Sequence, residues 1–221
     1  SVASQWRAVL RPGSRVANLM PSDIVPVGDL IANVCDYLDV SHVRLYPFTT
    51  GITDWERVCK TFATYQPSVL FIAPGVLVQL TRYLKQREML DGFALSVQTI
   101  MLLGEVNTQP FRDRLARGWH CEVHDASYGS TETGTLAAVG ADQHMRLATA
   151  TNYFELLLPD GRLVAPAEGL TGRLVVTPLN LYARPLLRLD TGDSVTLTAP
   201  WQAGRSSPSL LVNGRDSDSI A

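Results

Sequence analysis

The order of its apolar runs constrains this chain more than any other feature. Over the first two-thirds, short runs rich in β-branched residues alternate with longer amphipathic stretches, the pattern of βαβ units around a largely parallel sheet. Arg15–Met20 and Val43–Tyr46 read as strands, and Val27–Tyr37 between them carries apolar residues at helical spacing. Asp54–Tyr65 is the next expected helix. Ser68–Ile72 reads as a buried strand, and Pro74 suits the first turn of a helix reaching about Arg87. Val97–Leu103 is a further strand. Thr108-Gln109-Pro110 opens a helix that Gly118 is expected to close, and Cys121–His124 begins the next strand.

After about Thr149 the texture changes. Phe154–Leu158, Arg173–Thr177, Leu186–Leu189 and Val195–Thr198 are short expected strands separated by Gly, Pro and Asp turns, which points to an antiparallel region. The expected organisation is therefore an α/β part, residues 1–149, followed by a β-rich part, residues 150–221, with Ala199–Pro208 an exposed loop.

Composition narrows the function classes. A chain of 221 residues, 46% hydrophobic and 18% charged, has the makeup of a globular protein with a substantial core. Its net charge of −2 offers no cationic surface for nucleic acid. The longest apolar run, Ser68–Leu80, is broken by Pro74 and Gly75 and falls short of the ~20 residues of a membrane helix. Ser1–Leu10 has no apolar core of a signal peptide, and the start without Met suggests a piece of a longer protein. Cys35, Cys59 and Cys121 are odd in number and widely spaced, so they read as buried thiols in a reducing, cytoplasmic setting.

The most informative stretch for chemistry is Tyr128-Gly129-Ser130-Thr131-Glu132-Thr133-Gly134, placed just after an expected strand, at the sheet edge where α/β proteins collect ligands. A Tyr ring offers a flat face to a purine and Gly129 permits close backbone approach. Ser130 and Thr131 offer hydroxyls to phosphate, and Glu132 offers a hard oxygen to Mg²⁺. The residue types alone fit an ordinary Ser/Thr/Gly loop better than a nucleotide site.

The stretch resembles the Tyr-Gly-x-Thr-Glu motif of the adenylate-forming superfamily: acyl-CoA ligases, peptide-synthetase adenylation domains and luciferases. Two further matches follow in order. Leu189-Asp190-Thr191-Gly192-Asp193 is similar to the superfamily's Thr-Gly-Asp motif, and Gly214-Arg215 with Asp218 and Ile220 is similar to its hinge motif. Gly172-Arg173-Leu174-Val175-Val176-Thr177-Pro178-Leu179, Arg184-Pro185-Leu186-Leu187-Arg188 and Gly104-Glu105 resemble the phenylacetate-CoA ligase branch. The resemblance is clearest from Ser68 to Ile220. It implies the fold of the large N-terminal domain and ATP-dependent conversion of a carboxylic acid to an acyl-adenylate. Transfer to a thiol follows, that of coenzyme A or of an acyl or peptidyl carrier protein.

Residue by residue, the resemblance implies that Tyr128 stacks on adenine, with Gly129 and Ser130 beside it. Thr131 contacts the α-phosphate, and Glu132 helps to hold Mg²⁺. Asp193 takes the ribose hydroxyls, Arg215 reaches the nucleotide near the hinge, and Gly104 and Glu105 line the adenine pocket. A carboxylate suits a ribose because it accepts two hydroxyl hydrogen bonds at once.

The departures matter equally. Thr49-Thr50-Gly51 lacks the Lys and the Ser/Gly content of the superfamily's phosphate loop, and it reads as a turn. Lys60 and Lys85 lie on polar helix faces, so neither serves as the catalytic Lys of the superfamily's small C-terminal domain. The phosphate loop and the Lys-bearing part are thus expected to lie outside this chain. Ser217 stands where the pivot Asp belongs, and Trp201–Arg205 has no cysteines for the structural zinc of some relatives. Asp125 is displaced by one residue from the superfamily's acidic neighbour. His120, His124 and His144 are scattered. Aromatic residues near Tyr46–Gly51, Phe71–Gly75 and Gly104–Val106 suit an aryl or medium apolar acid. A second reading is a degenerate module that binds a nucleotide or a partner protein without turnover.

Overall fold

A computed structural model describes residues 2–22, 25–140, 142–198 and 207–215. The chain forms two compact units, one of Trp6–Ala126 and one of Ser1–Gln5 with Ser127–Ala221. The division thus falls at 126/127 rather than at 149/150. The reason lies in pairing: residues from Ser127 onward are already strands of an antiparallel sheet.

After helix α1 (Val2–Trp6), the first unit alternates strand and helix. It contains β1 (Arg15–Asn18), α2 (Val27–Tyr37), β2 (Ser41–Arg44), α3 (Trp55–Tyr65), β3 (Val69–Ile72), α4 (Pro74–Lys85), α5 (Leu90–Ala94), β4 (Thr99–Leu102), α6 (Gln109–Trp119) and β5 (Glu122–Asp125). The strands form a five-stranded sheet in the order β2-β1-β3-β4-β5, and every pairing is parallel. β3 is buried along its whole length, as its unbroken apolar run requires of a central parallel strand. Leu70, Ile72, Ile100 and Leu102 of the sheet meet Leu77, Leu80 and Leu84 of α4 in the core.

Local chemistry sets the helix ends. The Asp54 carboxylate accepts from the Arg57 backbone N–H at 2.8 Å and starts α3. Gln66, with φ 48°, ends it. Pro74 occupies the first turn of α4, where its missing N–H costs nothing. Gly118 does not close α6: the helix continues through Trp119, whose indole donates to Thr81 Oγ1 at 3.0 Å, and His120 ends it at φ 52°. Leu90–Ala94 forms the short α5, which the periodicity did not indicate.

The second unit contains β6 (Ser127–Ser130), β7 (Gly134–Val139), β8 (Met145–Leu147), β9 (Asn152–Leu157), β10 (Leu163–Val164), β11 (Thr171–Pro178), β12 (Leu189–Thr198) and β13 (Ser209–Arg215). Its eight-stranded sheet runs β10-β9-β11-β12-β13-β8-β7-β6, with antiparallel pairing throughout. Phe154, Leu156, Leu174, Val176, Val195, Leu197 and Leu210 pack with Leu136 and Leu147 in its core. The expected strand Leu186–Leu189 contributes only Leu189; residues 186–188 precede β12 in irregular backbone. The expected loop Ala199–Pro208 lies largely outside the described residues, as do Ser217, Asp218 and Ile220 of the hinge motif. Among the described residues, no helix is long and apolar enough to cross a membrane.

Candidate nucleotide site

Tyr128, Gly129 and Ser130 lie on β6, and Thr131-Glu132-Thr133 turns the chain into β7. The β6–β7 register shifts between Tyr128 and Gly129, and this bulge brings Gly129 against the opposite strand. A Cβ on Gly129 would lie 2.1 Å from the Gly134 carbonyl oxygen, so only glycine fits. Inside the turn, Ser130 Oγ accepts from the Thr133 backbone N–H at 3.3 Å and lies 3.1 Å from Thr133 Oγ1. The hydroxyl of Ser130 is therefore engaged in shaping the turn. Thr133 is buried, whereas Thr131 and Glu132 are exposed.

The Thr191-Gly192-Asp193 motif forms a second bulge, in β12. Asp190 pairs with Val175 and Ser194 pairs with Arg173, so Leu174 alone faces the three motif residues. Thr191 Oγ1 donates to the Leu174 carbonyl at 2.9 Å and accepts from the Asp193 backbone N–H at 3.2 Å. Gly192, at φ 74°, supplies the left-handed residue the bulge needs, and its N–H donates to Asp190 Oδ1 at 3.0 Å.

The bulge aims Asp193 at Tyr128. The Tyr128 hydroxyl donates to Asp193 Oδ2 at 2.6 Å, while Arg215 Nε lies 3.4 Å from Asp193 Oδ1. Arg215 reaches this position because it pairs with Asp193 across β12 and β13. Burial, followed by the hydrogen bond to Asp193, pushes the Tyr128 phenol well above its ordinary range, so it remains a proton donor. Residues 65 positions apart in sequence thus form one cluster in the second unit. Its oxygen acceptors and guanidinium stand beside an aromatic face, the mixture that a nucleoside monophosphate requires.

Glu132 is held below the ordinary glutamate range, first by a hydrogen bond with Ser130 and more weakly by the positive charges of Arg184 and Arg215. It is a fully ionised, exposed oxygen donor at neutral pH. Among the described residues, no three His, Cys, Asp or Glu side chains gather as a metal cluster.

Gly104 and Glu105 belong to the other unit. Gly104 has φ 90°, and Glu105 Oε1 accepts from the Gly75 N–H at 3.4 Å in the first turn of α4. There Glu105 caps a helix whose N-cap, Ala73, has no side chain able to do so. Asp125 ends β5, where burial raises its carboxyl to about 6 against the weaker lowering by Arg112 and an Asn107 hydrogen bond. Of the histidines, His124 is buried and lies 3.2 Å from Glu122, and His120 caps α6.

Thr191 and Thr133 hold the two turns, and the sequence reading gave them no role. Their signal is position alone, Thr133 next to Glu132 and Thr191 two residues before Asp193. Arg184, whose charge acts on Glu132, was read only as part of a wider pattern.

With a parallel sheet flanked by helices and an antiparallel sheet, the chain has the fold of the adenylate-forming enzymes. It superposes on a 2-hydroxyisobutyryl-CoA ligase in an open conformation, in complex with 2-HIB-AMP and CoA, with a TM-score of 0.81 and 19% identity over 100% of this chain and 49% of that one. It also matches O-succinylbenzoate coenzyme A synthetase from Bacillus subtilis in complex with AMP, with a TM-score of 0.60 and 18% identity over 98% of this chain and 55% of that one. A third match is the luciferase-like enzyme of the nonluminescent mealworm Zophobas morio, at TM-score 0.62 and 14% identity over 99% of this chain and 52% of the other. The chain therefore spans about half the length of these structures. No protein-family profile and no curated protein sequence matches it.

Proposed function

We propose that the chain binds the AMP portion of ATP at Tyr128, Asp193 and Arg215 and serves AMP-forming activation of a carboxylic acid. The 2.6 Å bond between Tyr128 and Asp193, with Arg215 beside it, carries the reading. Asp193 retains free lone pairs for two ribose hydroxyls, Tyr128 offers its ring to adenine, and Gly129 and Ser130 shape the wall below. Thr131, exposed on the turn, donates to an α-phosphate oxygen, and Arg215 pairs with a phosphoryl oxygen. Gly104 and Glu105, which the resemblance assigns to the adenine pocket, belong to the other unit. Glu132 suits Mg²⁺ because it is ionised and open, and that cation's charge would offset the negative phosphoryl oxygens.

The residues act by position and charge. A carboxylate oxygen of the acid attacks the α-phosphorus, the bond to the bridging oxygen breaks and pyrophosphate leaves, while Asp193 and Thr131 fix the line of attack. A thiolate then attacks the acyl carbon and AMP departs. The acceptor thiol belongs to coenzyme A or to a carrier protein. Tyr46 and Phe48, edge to face at 5.5 Å, favour an aryl or medium apolar acid. The sequence pattern places the enzyme nearest the phenylacetate-CoA ligase branch. Burial lifts the thiols of Cys35 and Cys121 to about 12, which keeps them inert and suits a reducing, cytoplasmic setting.

Calorimetric titration with AMP tests the reading. Asp193→Asn removes a charged acceptor worth about 1.5–3 kcal/mol, so affinity should fall roughly 10- to 100-fold. Equal AMP binding by both proteins, or none by the wild type, refutes it. Pyrophosphate exchange with a panel of acids separates turnover from the second reading, a noncatalytic nucleotide-binding module, which the absence of a recognisable phosphate loop from residues 1–221 favours.

A further inference from the structure

The bulge that carries Asp193 needs a fixed starting point. A strand in which three residues face one can return to regular pairing by sliding, and each one-residue slip turns every side chain to the opposite face. On its downstream side Asp193 pairs with Arg215 and Ser194 with Arg173, before a further register shift against β13 between Ser194 and Val195. Upstream, β12 begins only two residues before it, at Leu189. Leu189 follows the irregular segment 179–188, in which Leu179, Tyr182 and Leu187 are exposed.

Arg188 stands at that junction. Its backbone is left-handed at φ 48°, a conformation that disfavours a side chain with a Cβ. Two contacts hold it there. Its backbone N–H donates to Thr177 Oγ1 of β11 at 2.9 Å, and its guanidinium makes a two-pronged pair with Glu155 of β9, Nε to Oε2 at 3.0 Å and Nη2 to Oε1 at 3.1 Å. Glu155 is 7% exposed within the sheet and faces Val175 across the ladder. A carboxylate so buried, where β-sheets ordinarily place apolar residues, calls for a specific partner. Two strands, β9 and β11, thus fix the entry to a third.

We infer that Arg188 and Glu155 are a positioning pair for the nucleotide site: their two-pronged contact locks the register of β12 so that the Thr191–Asp193 bulge presents Asp193 to the ribose. Neither residue touches the nucleotide. The inference rests on the proposed role of Asp193, and its test separates the two.

AMP and 2′,3′-dideoxy-AMP differ only in the hydroxyls assigned to Asp193, so the ratio of their dissociation constants reports where that carboxylate stands. In the wild type, AMP should bind at least tenfold more tightly. In Arg188→Gln that preference should collapse to within about threefold, through weaker AMP binding and unchanged binding of the dideoxy analogue. Arg188→Lys, which keeps the charge but not the fork, should fall between. Because Arg188→Gln strands the Glu155 carboxylate, the paired variant Glu155→Gln with Arg188→Gln removes the buried charge and preserves the fold while still lacking the fork. It too should lose the preference. An undiminished preference in the paired variant, or in a folded Arg188→Gln, overturns the positioning role while leaving the ribose role of Asp193 standing. A wild type that binds both nucleotides equally overturns both.

Discussion

Asp125 carries a cost that a single substitution should expose. Its carboxyl ends the edge strand of the parallel sheet, and burial raises it from the ordinary aspartate value of 3.8 to about 6. The charged form is disfavoured in the folded protein, although Arg112 and the Asn107 side chain recover part of the loss. At 1.36 kcal/mol for each tenfold change in proton affinity, the difference between folded and unfolded states amounts to about 3 kcal/mol. Because the folded value lies above the unfolded one, this contribution is fully present below about pH 3.8 and is lost as pH rises through 6. Asp125→Asn keeps the shape and a hydrogen-bonding amide but never ionises. The wild type should lose about 3 kcal/mol relative to the variant between pH 3 and pH 8, most of it between pH 4 and pH 7. Urea unfolding of both proteins at pH 4, 5, 6, 7 and 8 measures the difference directly. A gap that stays constant across the series, or that widens in favour of the wild type at high pH, would show that burial does not govern this carboxyl.

Two further outcomes follow from the hairpin. Gly129→Ala puts a methyl group against the Gly134 carbonyl oxygen, and urea unfolding should show a loss of about 2–4 kcal/mol, whereas a loss under 0.5 kcal/mol would mean that the bulge yields easily. Glu132→Gln, at an exposed turn position, should leave stability within about 0.5 kcal/mol. The same variant should reduce the gain in ATP affinity on adding Mg²⁺, measured by calorimetry, and an unchanged gain would remove Glu132 from the metal site.

Much of the parallel sheet was readable because its signals are local. The Ser68–Ile72 run followed by Pro74 announces a buried strand and a helix start within a few positions. The antiparallel unit was harder to read. The pairing of β11 with β12 absorbs Gly192 and Asp193 into a bulge that no short window reveals. Tyr128 and Asp193 could be named from residue type and order, but their direct bond depends on strand pairings across the whole second sheet. The capping of α4 by Glu105 and the pairing of Arg188 with Glu155 join residues about thirty apart, and neither side chain carries a mark of its partner in the sequence. His120 rather than Gly118 ends α6, because the buried Trp119 ring prolongs the helix by docking on Thr81.

The indole of Trp6, wholly buried, tilts against Phe71 with ring centroids 4.9 Å apart and donates to the Ala126 carbonyl at 3.0 Å. That bond fastens the first residue of the α/β unit to its last. Entry and exit therefore lie side by side, and the whole stretch of 6–126 hangs between two neighbouring points of the surrounding chain. Such a layout permits one folding unit to be inserted into the sequence of another, because its own two ends lie together.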